Sequence, residues 1–289
     1  MCDEHVLQME AQARREKGLS RRDFNLLALS AAAVAMLPGG VLAASVKKSR
    51  VNIETGDGMA DAFFVRPAKG QHPGVLLWPD FMGLRPAYEQ LASKLAQSGY
   101  AVLAVNPYYR SAKSPIIEKA DFENKAAMEK FGAYSSAITR ETLTTDAEAF
   151  VGFLDRQSRV DRKRKIGAMG YCMSGAWTFH TAATVPERVG AIASFHGGQL
   201  VSEDTDSLQR VLSKIRVQAL IAISRDDDES EPQTKTLLRE AFAKAGLPAE
   251  IEVYPAAHGW CTPDMLTLYD EVQAQRAWVR LLTLFERAL

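Results

Sequence analysis

The chain has 289 residues, of which 47% are hydrophobic and 24% charged, and its 35 basic and 35 acidic side chains give a formal net charge of zero. These are the values of an ordinary globular enzyme, and they give no reason to expect a nucleic acid or an anionic membrane as partner. The three cysteines, Cys2, Cys172 and Cys261, are too few for a disulfide framework, and their spacing matches no zinc pattern. The chain also lacks a dinucleotide-binding motif, so the sequence predicts neither a metal site nor a cofactor.

Residues 1–44 are predicted to be a twin-arginine export signal that lies outside the fold. Arg21 and Arg22 precede a short, alanine-rich apolar run, and residues 43–44 supply a small-residue cleavage site. An N-terminal membrane anchor is the alternative, but the Pro-Gly-Gly sequence at 38–40 interrupts the apolar stretch, whereas a spanning helix needs about 20 apolar residues. We therefore expect export by the twin-arginine translocase, cleavage, a periplasmic location and no stable membrane association afterwards.

From residue 45 to residue 289 the sequence predicts one domain in which strands alternate with helices. Residues 51–55 and 60–66 flank a Gly-Asp-Gly turn and are predicted to form a hairpin. Further strands are predicted at 73–78, 101–106, 166–169, 191–195, 217–224 and 250–254, and helices at 87–98, 139–155, 176–185 and 264–289. Because most of these strands are apolar throughout, the alternation indicates an α/β fold with a mostly parallel sheet covered by helices on both faces.

A strand-to-helix turn at residues 170–175, with the sequence Gly-Tyr-Cys-Met-Ser-Gly, has the spacing of a nucleophile elbow in which cysteine replaces the commoner serine. Glycine is needed on both sides because a Cβ atom there would collide with the neighbouring strand or helix. The turn places the Cys172 sulfur at a helix N-terminus, where the helix dipole favours a thiolate. It also leaves the N–H of Met173 as a candidate oxyanion donor. The alternative is a packing motif without chemistry, since cysteine is often buried.

Acidic and histidine residues follow two later strands, in the chain order that α/β-hydrolases use. The acidic cluster at 226–228 comes first and His258 comes second, so both are expected at the carboxyl edge of the sheet, where ligands bind. His258 is the candidate base, and His196, the rival by position, is expected to line or support the site. Asp226 is the preferred acid because it is nearest the strand end, and Asp227 remains open.

Five short motifs stand in the order and at the intervals typical of the dienelactone hydrolase family of α/β-hydrolases, which the chain resembles over nearly all of residues 51–289. They are PDFMGLRP at 79–86, NPYYR at 106–110, GYCMSG at 170–175, the acidic cluster at 226–228 and HGW at 258–260. The resemblance implies an α/β-hydrolase fold and a carboxymethylenebutenolidase-like activity on a small ester or lactone. It also implies an acyl-enzyme on Cys172, with His258 as base and Asp226 behind it.

The resemblance further implies roles for residues outside this triad. Asp80 matches an acidic position, usually glutamate, that holds the resting thiol, and the N–H of Phe81 matches the second oxyanion donor. Arg110 matches an arginine that binds the substrate carboxylate, whereas Thr262 stands where the family has a second such arginine. Trp260 is expected to wall an apolar pocket. With half of the carboxylate clamp missing, the sequence leaves open whether dienelactone itself is hydrolysed.

Two functions of other classes remain open from the sequence. One is an exported binding protein with a vestigial elbow, and the other is a thiol redox protein that uses Cys172 and Cys261. Neither role needs an acid and a histidine in this order, so the hydrolase is favoured, while peptidase and acyltransferase variants of the fold are harder to distinguish. We expect a monomer or a small homo-oligomer.

Overall fold

The computed structural model describes residues 44–201 and 211–289. Its sheet has eight strands in the order β1-β2-β4-β3-β5-β6-β7-β8. They are β1 (Val46–Thr55), β2 (Gly58–Pro67), β3 (Gly74–Trp78), β4 (Ala101–Val105), β5 (Ile166–Tyr171), β6 (Val189–Phe195), β7 (Gln218–Ser224) and β8 (Ala249–Tyr254). The predicted export signal, apart from Ala44, lies outside the described residues.

The sheet begins with an antiparallel hairpin and continues as parallel strands. Strands β1 and β2 pair antiparallel, with Thr55 opposite Gly58, and the positive φ of 132° at Gly58 allows the tight turn. Strand β2 also pairs antiparallel with β4, whereas every pairing from β4 through β3 to β8 is parallel. The predicted hairpin and the mostly parallel sheet are therefore confirmed.

Helices cover both faces of the sheet, as predicted. They are α1 (Pro86–Gln97), α2 (Lys125–Ser135), α3 (Arg140–Asp155), α4 (Gly175–Thr184), α5 (Arg225–Ser230), α6 (Thr234–Ala245) and α7 (Glu271–Ala288). Apolar side chains of α3, α4 and α6 pack on one face, and those of α1 and α7 pack on the other. The central strands β3 and β4 are buried along their whole length, which explains why their sequences show no polar alternation.

The prediction from the sequence placed the start of the last helix too early and missed three other helices. Helix α7 begins at Glu271, where Asp270 caps it by accepting a hydrogen bond from the Gln273 N–H, so the predicted start at 264 is seven residues early. The side chain of Asp264 instead pairs with Arg85. Helices α2, α5 and α6 were not predicted, and α5 contains the acidic cluster at 226–228.

The strand order brings the predicted functional positions to one edge of the sheet. Strands β5, β6, β7 and β8 are consecutive neighbours, and β7 and β8 end in register, with Ser224 opposite Tyr254. Cys172 follows β5, His196 follows β6 and His258 lies four residues beyond the end of β8. Within the described residues, no helix is both long and apolar enough to cross a membrane.

Candidate active site

The turn at Cys172 has the strained geometry that the glycine spacing predicts. Cys172 has a φ of 55°, a left-handed conformation that residues with a Cβ rarely adopt, and a short 3-10 turn leads from it into α4. A Cβ atom on Gly170 would collide with the carbonyl oxygen of Ser174, and one on Gly175 would collide with the Ser194 hydroxyl. The steric reason for both glycines is therefore confirmed.

Ser174 fixes the elbow to the two central strands, a role that sequence reasoning missed. Its fully buried hydroxyl accepts a hydrogen bond from the Tyr171 N–H at 2.9 Å and lies 3.0 Å from the carbonyl oxygens of Tyr171 and Trp78. Because strand β3 ends at Trp78, this hydroxyl ties the turn after β5 to the neighbouring strand. A serine inside a tight turn that is flanked by glycines was the available sequence signal.

The carboxylate beside the histidine ring is Asp227, so the prediction of Asp226 in that place is wrong by one residue. Both oxygens of Asp227 lie near His258 Nδ1, at 2.9 and 3.0 Å. Asp226 instead accepts the backbone N–H of His258, at 2.8 and 3.0 Å. The hydroxyl of Ser224 contacts both carboxylates, at 2.6 Å for Asp226 and 2.5 Å for Asp227. The two acids therefore hold the same histidine through different groups.

His258 lies where its protonated form is stabilised. Burial by itself lowers the pKa of the imidazole, but the hydrogen bonds and negative charges of Asp227 and Cys172 outweigh burial and raise the pKa to about 10. At neutral pH the ring is consequently an imidazolium between a carboxylate and the cysteine sulfur. An imidazolium beside a sulfur stabilises a thiolate, which is the nucleophilic form of cysteine.

His196 supports His258 from the buried side. Its ring is fully buried and packs edge to face against the His258 ring, with centroids 4.7 Å apart. Neither ring nitrogen of His196 has a hydrogen-bond partner among the described residues. Burial first, and then the nearby charge of His258, hold the pKa of His196 well below its usual value, so this ring is neutral. The expectation that His196 lines or supports the site agrees with this contact.

A cavity of about 450 Å³ opens beside the sulfur. Its walls are Ser135, Ile138, Cys172, Met173, Ala176, Trp177, Gly198, Gln199 and His258. In the described part of the chain, three residues other than glycine have a positive φ, namely Cys172, His196 and Gln199, and all three lie at this cavity or against His258. Backbone strain is concentrated at functional sites, so the distribution marks this cavity as the candidate active site.

The loop after β3 that carries Phe81 is held in place by hydrogen bonds of the Asp80, Arg85 and Tyr108 side chains. The buried carboxylate of Asp80 accepts hydrogen bonds from Arg85 at 2.7 and 2.9 Å and from the Met82 N–H at 2.9 Å. The Tyr108 hydroxyl donates to the Phe81 carbonyl at 2.7 Å. In the described structure the bond predicted between Asp80 and the Cys172 thiol is not formed, because Arg85 holds the carboxylate.

Arg110 does not stand ready to bind a substrate carboxylate, contrary to the prediction. Its guanidinium is clamped between two carboxylates, with contacts of 2.6 and 3.0 Å to Asp57 and of 2.8 and 2.9 Å to Asp146. It is also absent from the walls of the cavity that contains Cys172. These ion pairs join the β1–β2 turn to helix α3, so the observed role of Arg110 is structural.

Trp260 and Thr262 are core residues in this structure. Trp260 is fully buried and stacks on Tyr254 with ring centroids 4.7 Å apart, so it does not wall the cavity as predicted. Thr262, which stands where the family has a second carboxylate-binding arginine, is also fully buried. The tryptophan that lines the cavity is Trp177.

The second cysteine is not placed as a partner of Cys172. Cys261 is buried in the apolar cluster between the sheet and helices α1 and α7, and both described cysteines are free. Burial raises the pKa of the Cys261 thiol well above its usual value, which makes this thiol a weak nucleophile. The described residues also contain no group of three or more histidine, cysteine or carboxylate side chains placed to hold a metal ion.

Comparisons with known proteins identify the family of the chain. The sequence profile of the dienelactone hydrolase family matches residues 60–289. A protein of Methylorubrum extorquens, provisionally named a carboxymethylenebutenolidase, is 25% identical over 84% of this chain and 80% of its own length. A provisionally named carboxymethylenebutenolidase of Synechocystis is 24% identical over 84% of this chain and 98% of its own length.

A similar solved structure is a dienelactone hydrolase-like promiscuous phosphotriesterase from metagenomic libraries. It superposes with a TM-score of 0.70 at 22% identity, covering 84% of this chain and 99% of that chain. At that identity the likeness shows the fold. Since the family profile covers most of the chain and the solved structure shares its fold, the chain belongs to the dienelactone hydrolase family and has the α/β-hydrolase fold.

Proposed function

We propose that this member of the dienelactone hydrolase family hydrolyses carboxylic esters or lactones through a thioester on Cys172. The observation that carries the proposal is the strained Cys172 sharing one cavity with His258, whose Nδ1 lies 2.9 Å from Asp227. A nucleophile, a histidine and an acid that orients it form the arrangement used in acyl transfer. The names of the two relatives support the same class of reaction.

In the first half of the reaction, the Cys172 thiolate attacks the carbonyl carbon of the substrate and forms a tetrahedral intermediate. Collapse of that intermediate breaks the bond to the leaving alkoxide, which takes the proton of the His258 imidazolium. The products of this half are a thioester on Cys172, a neutral His258 and an alcohol. With a lactone, the alcohol stays attached to the acyl group. Asp227 keeps the imidazole in the orientation that places Nε2 toward the sulfur.

In the second half, water attacks the thioester while neutral His258 accepts a proton from that water. The second tetrahedral intermediate expels the Cys172 thiolate and releases the carboxylic acid, which restores the thiolate and imidazolium. No oxidant, reductant or cofactor enters this balance. The resting enzyme is therefore ready for another substrate without any further proton transfer at the site.

The N–H groups of Phe81 and Met173 are the proposed oxyanion donors. Met173 follows the nucleophile directly, and Phe81 lies on the loop that Arg85 and Tyr108 hold in place. Donors of this kind stabilise a transition state by roughly 3 to 4 kcal/mol each because they are already oriented when charge develops. The buried contacts of the loop thus favour catalysis by fixing one donor.

The direct test is hydrolysis of para-nitrophenyl acetate by the purified protein in the presence of reductant, with Cys172→Ala as the blank. We expect turnover by the wild type alone. Mass spectrometry of acid-quenched protein is expected to show one added acetyl group, which peptide mapping locates on Cys172. Turnover retained in Cys172→Ala, or an acetyl group located on another residue, would contradict the proposed nucleophile.

We also propose that the chain is exported by the twin-arginine route and acts in the periplasm. The support for this is Arg21 and Arg22 ahead of a short apolar run with a small-residue cleavage site. An envelope location suits a thiol enzyme only if the thiol avoids oxidation. The burial of Cys261 among side chains of α1 and α7 removes one partner for a disulfide.

A further inference from the structure

Two cavities adjoin at the candidate active site and share part of their lining. The first, of about 450 Å³, contains Cys172 and His258, and the second has a volume of about 370 Å³. Four residues line both cavities, namely Ile138, Ala176, Trp177 and Gln199. Cys172 and His258 do not line the second cavity, so the way from them into it leads past the wall that these four residues form.

Trp177 has the largest side chain of the shared wall, and its ring is held in place from the core. It packs edge to face against the ring of Trp78, with centroids 5.6 Å apart. Trp78 is fully buried, its ring lies 5.5 Å from that of Phe150, and its indole N–H donates to the Thr181 hydroxyl at 3.1 Å. Because Trp177 cannot move aside without losing its contact with this fixed ring, it is a rigid part of the wall.

The proposed reaction determines which half of the substrate points at this wall. The leaving alkoxide takes a proton from His258, so it must lie on the His258 side of the sulfur. The acyl chain is bonded to the same carbonyl carbon and extends away from the leaving group. Since His258 lines only the first cavity and Trp177 lines both, the acyl chain is the half directed toward Trp177.

The second cavity has space and apolar surface for a longer chain on the other side of Trp177. Its lining is mixed, with charged and hydroxyl side chains, and its apolar part includes Leu143, Ala183 and Val211. These three side chains are partly buried and pack against the core of the sheet. A chain that reached them would gain about fourfold in affinity for each methylene that became buried. Trp177 lies between this apolar surface and the acyl group.

We propose that Trp177 closes the acyl end of the active-site cavity and so limits the enzyme to esters of short acyl chains and to small lactones. The inference rests on the proposed ester hydrolysis, and it adds the class of substrate and the residue that selects it. The cavity of about 450 Å³ must hold the leaving group as well as the acyl group. It lies toward the lower end of the roughly 300 to 1,000 Å³ that is usual for ligand pockets.

The kinetic test compares para-nitrophenyl butyrate and para-nitrophenyl octanoate, which differ only in acyl length, on the full chain. For the wild type we expect kcat/KM for the octanoate to be lower by about tenfold or more, a loss typical of methylenes that a closed pocket does not accept. In Trp177→Ala the octanoate to butyrate ratio should rise by about tenfold or more, the gain from burying two or more methylenes. The ratio is independent of any general change in activity.

A second substitution tests whether the longer chain enters the second cavity. Ala183→Phe fills part of that cavity from the side beyond Trp177. Added to Trp177→Ala, it should return the ratio toward the wild-type value, whereas on its own it should leave the wild-type ratio unchanged. Trp278→Ala is the matched control, because it removes a tryptophan of helix α7 on the other face of the sheet, and it should also keep the wild-type ratio.

Two results would overturn the proposal: a wild-type ratio near one, or a ratio that Trp177→Ala leaves unchanged. Trp177→Leu provides the same test if Trp177→Ala does not fold. Leucine keeps an apolar contact with Trp78 but is much smaller than tryptophan, so the ratio should rise in the same direction by a smaller factor. Folded Trp177→Leu protein with the wild-type ratio would also contradict the role of Trp177.

A binding measurement separates this proposal from the proposed reaction. Calorimetry with free octanoate and free butyrate is carried out on Cys172→Ala with and without Trp177→Ala. We expect truncation of Trp177 to strengthen octanoate binding by about tenfold and to change butyrate binding far less. If no ester is cleaved but octanoate binding responds in this way, the role of Trp177 stands and the reaction fails. If short esters are cleaved but neither the ratio nor the binding responds, the reaction stands and the role of Trp177 fails.

Discussion

The carboxylate of Asp227 lies 2.9 Å from Nδ1 of His258, while the adjacent Asp226 bonds the backbone N–H of the same histidine at 2.8 Å. A carboxylate on the ring nitrogen controls the tautomer and stabilises the cation, whereas a carboxylate on the backbone fixes the position of the loop. The two neighbouring aspartates therefore have different roles: Asp227 orients and stabilises the protonated ring, and Asp226 positions the loop. Substitution by asparagine keeps their size and separates the two contributions.

We expect Asp227→Asn to lower kcat by about 10²- to 10⁴-fold, because the amide neither stabilises the imidazolium nor fixes its tautomer. Asp226→Asn should lower stability by about 1 to 3 kcal/mol, since it weakens a charged hydrogen bond, and reduce kcat far less. Ester kinetics and urea unfolding of both variants provide the measurements. Equal losses of kcat in the two variants would show that the ring contact of Asp227 has no special role.

The raised pKa of His258 predicts how its contribution to stability varies with pH. The folded-state pKa of about 10 lies above the usual value of 6.5, so the folded protein holds this proton more tightly than the unfolded chain does. The stabilisation is therefore complete below about pH 6.5, declines as the pH rises toward 10 and is absent above it. The reason is the charge of Asp227 and Cys172 around the imidazolium.

Urea unfolding of the wild type and of His258→Gln at pH 6, 8 and 10 measures this contribution. The difference in unfolding free energy between the two proteins should shrink as the pH rises. A titration of the His258 ring followed by NMR should give its midpoint near pH 10. A midpoint near 6.5, or a free-energy difference that is constant with pH, would show that the imidazole is not held as a cation.

Substitution by alanine is expected to have opposite effects on stability at an elbow glycine and at a helix glycine. Gly170→Ala places a Cβ against the carbonyl oxygen of Ser174, which is backbone and cannot move aside, so we expect a loss of several kcal/mol or no folding. Gly132→Ala in helix α2 is the matched control. Its Cβ would meet nothing within 4 Å, and alanine in a helix interior is favoured by about 0.5 to 1 kcal/mol.

Thermal unfolding of the two alanine variants measures the contrast. Gly132→Ala should unfold at a slightly higher temperature than the wild type, and Gly170→Ala at a much lower one. If Gly170→Ala kept the wild-type stability, the turn would be able to relax, and the strained conformation of Cys172 would not depend on the absence of a side chain at residue 170.

The elbow was predicted correctly because the steric requirement for its two glycines is local. The glycines at 170 and 175 act on atoms within a few residues or on the next strand, and the spacing alone expresses that constraint. The mostly parallel sheet and the edge that carries the site also followed from apolar runs separated by helices. These parts of the fold need no knowledge of which distant side chains meet.

Contacts between residues that are distant in sequence could not be predicted from local patterns. Arg110 was expected to face a substrate, but it meets Asp57 and Asp146, which lie 53 and 36 residues away along the chain. The choice between Asp226 and Asp227 depended on helix α5, whose capping by Ser224 sets the direction of both carboxylates. A stretch of three consecutive aspartates does not reveal that Asp227 is the one that faces a histidine 31 residues further on.

Arg85 is expected to be among the most important side chains for stability outside the elbow. Its fully buried guanidinium binds two carboxylates, Asp80 and Asp264, and so Arg85→Met would leave buried charges without a partner. Breaking such a buried pair costs about 3 to 5 kcal/mol. Adding Asp80→Asn to Arg85→Met should recover part of that loss, because it removes one of the orphaned charges.

Urea unfolding of the single and double variants tests this account, with Arg225→Leu as the control. Arg225 forms an exposed ion pair with Glu229 at 3.8 Å, and exposed pairs contribute at most about 1 kcal/mol. Comparable losses in Arg85→Met and Arg225→Leu would mean that the buried network does not hold the loop of Phe81. A double variant less stable than Arg85→Met would point to lost packing instead of an orphaned charge.

The arginine pair at residues 21 and 22 is expected to direct export, and the chain contains its own control for this. Arg14 and Arg15 form a second adjacent pair seven residues earlier, farther from the apolar run. When residues 1–60 are fused to a reporter that folds before export, changing Arg21 and Arg22 to lysine should keep the reporter out of the periplasmic fraction. Changing Arg14 and Arg15 to lysine should leave export intact, because general positive charge is not the signal. Equal export by both double variants would instead indicate that the segment is not read by the twin-arginine translocase.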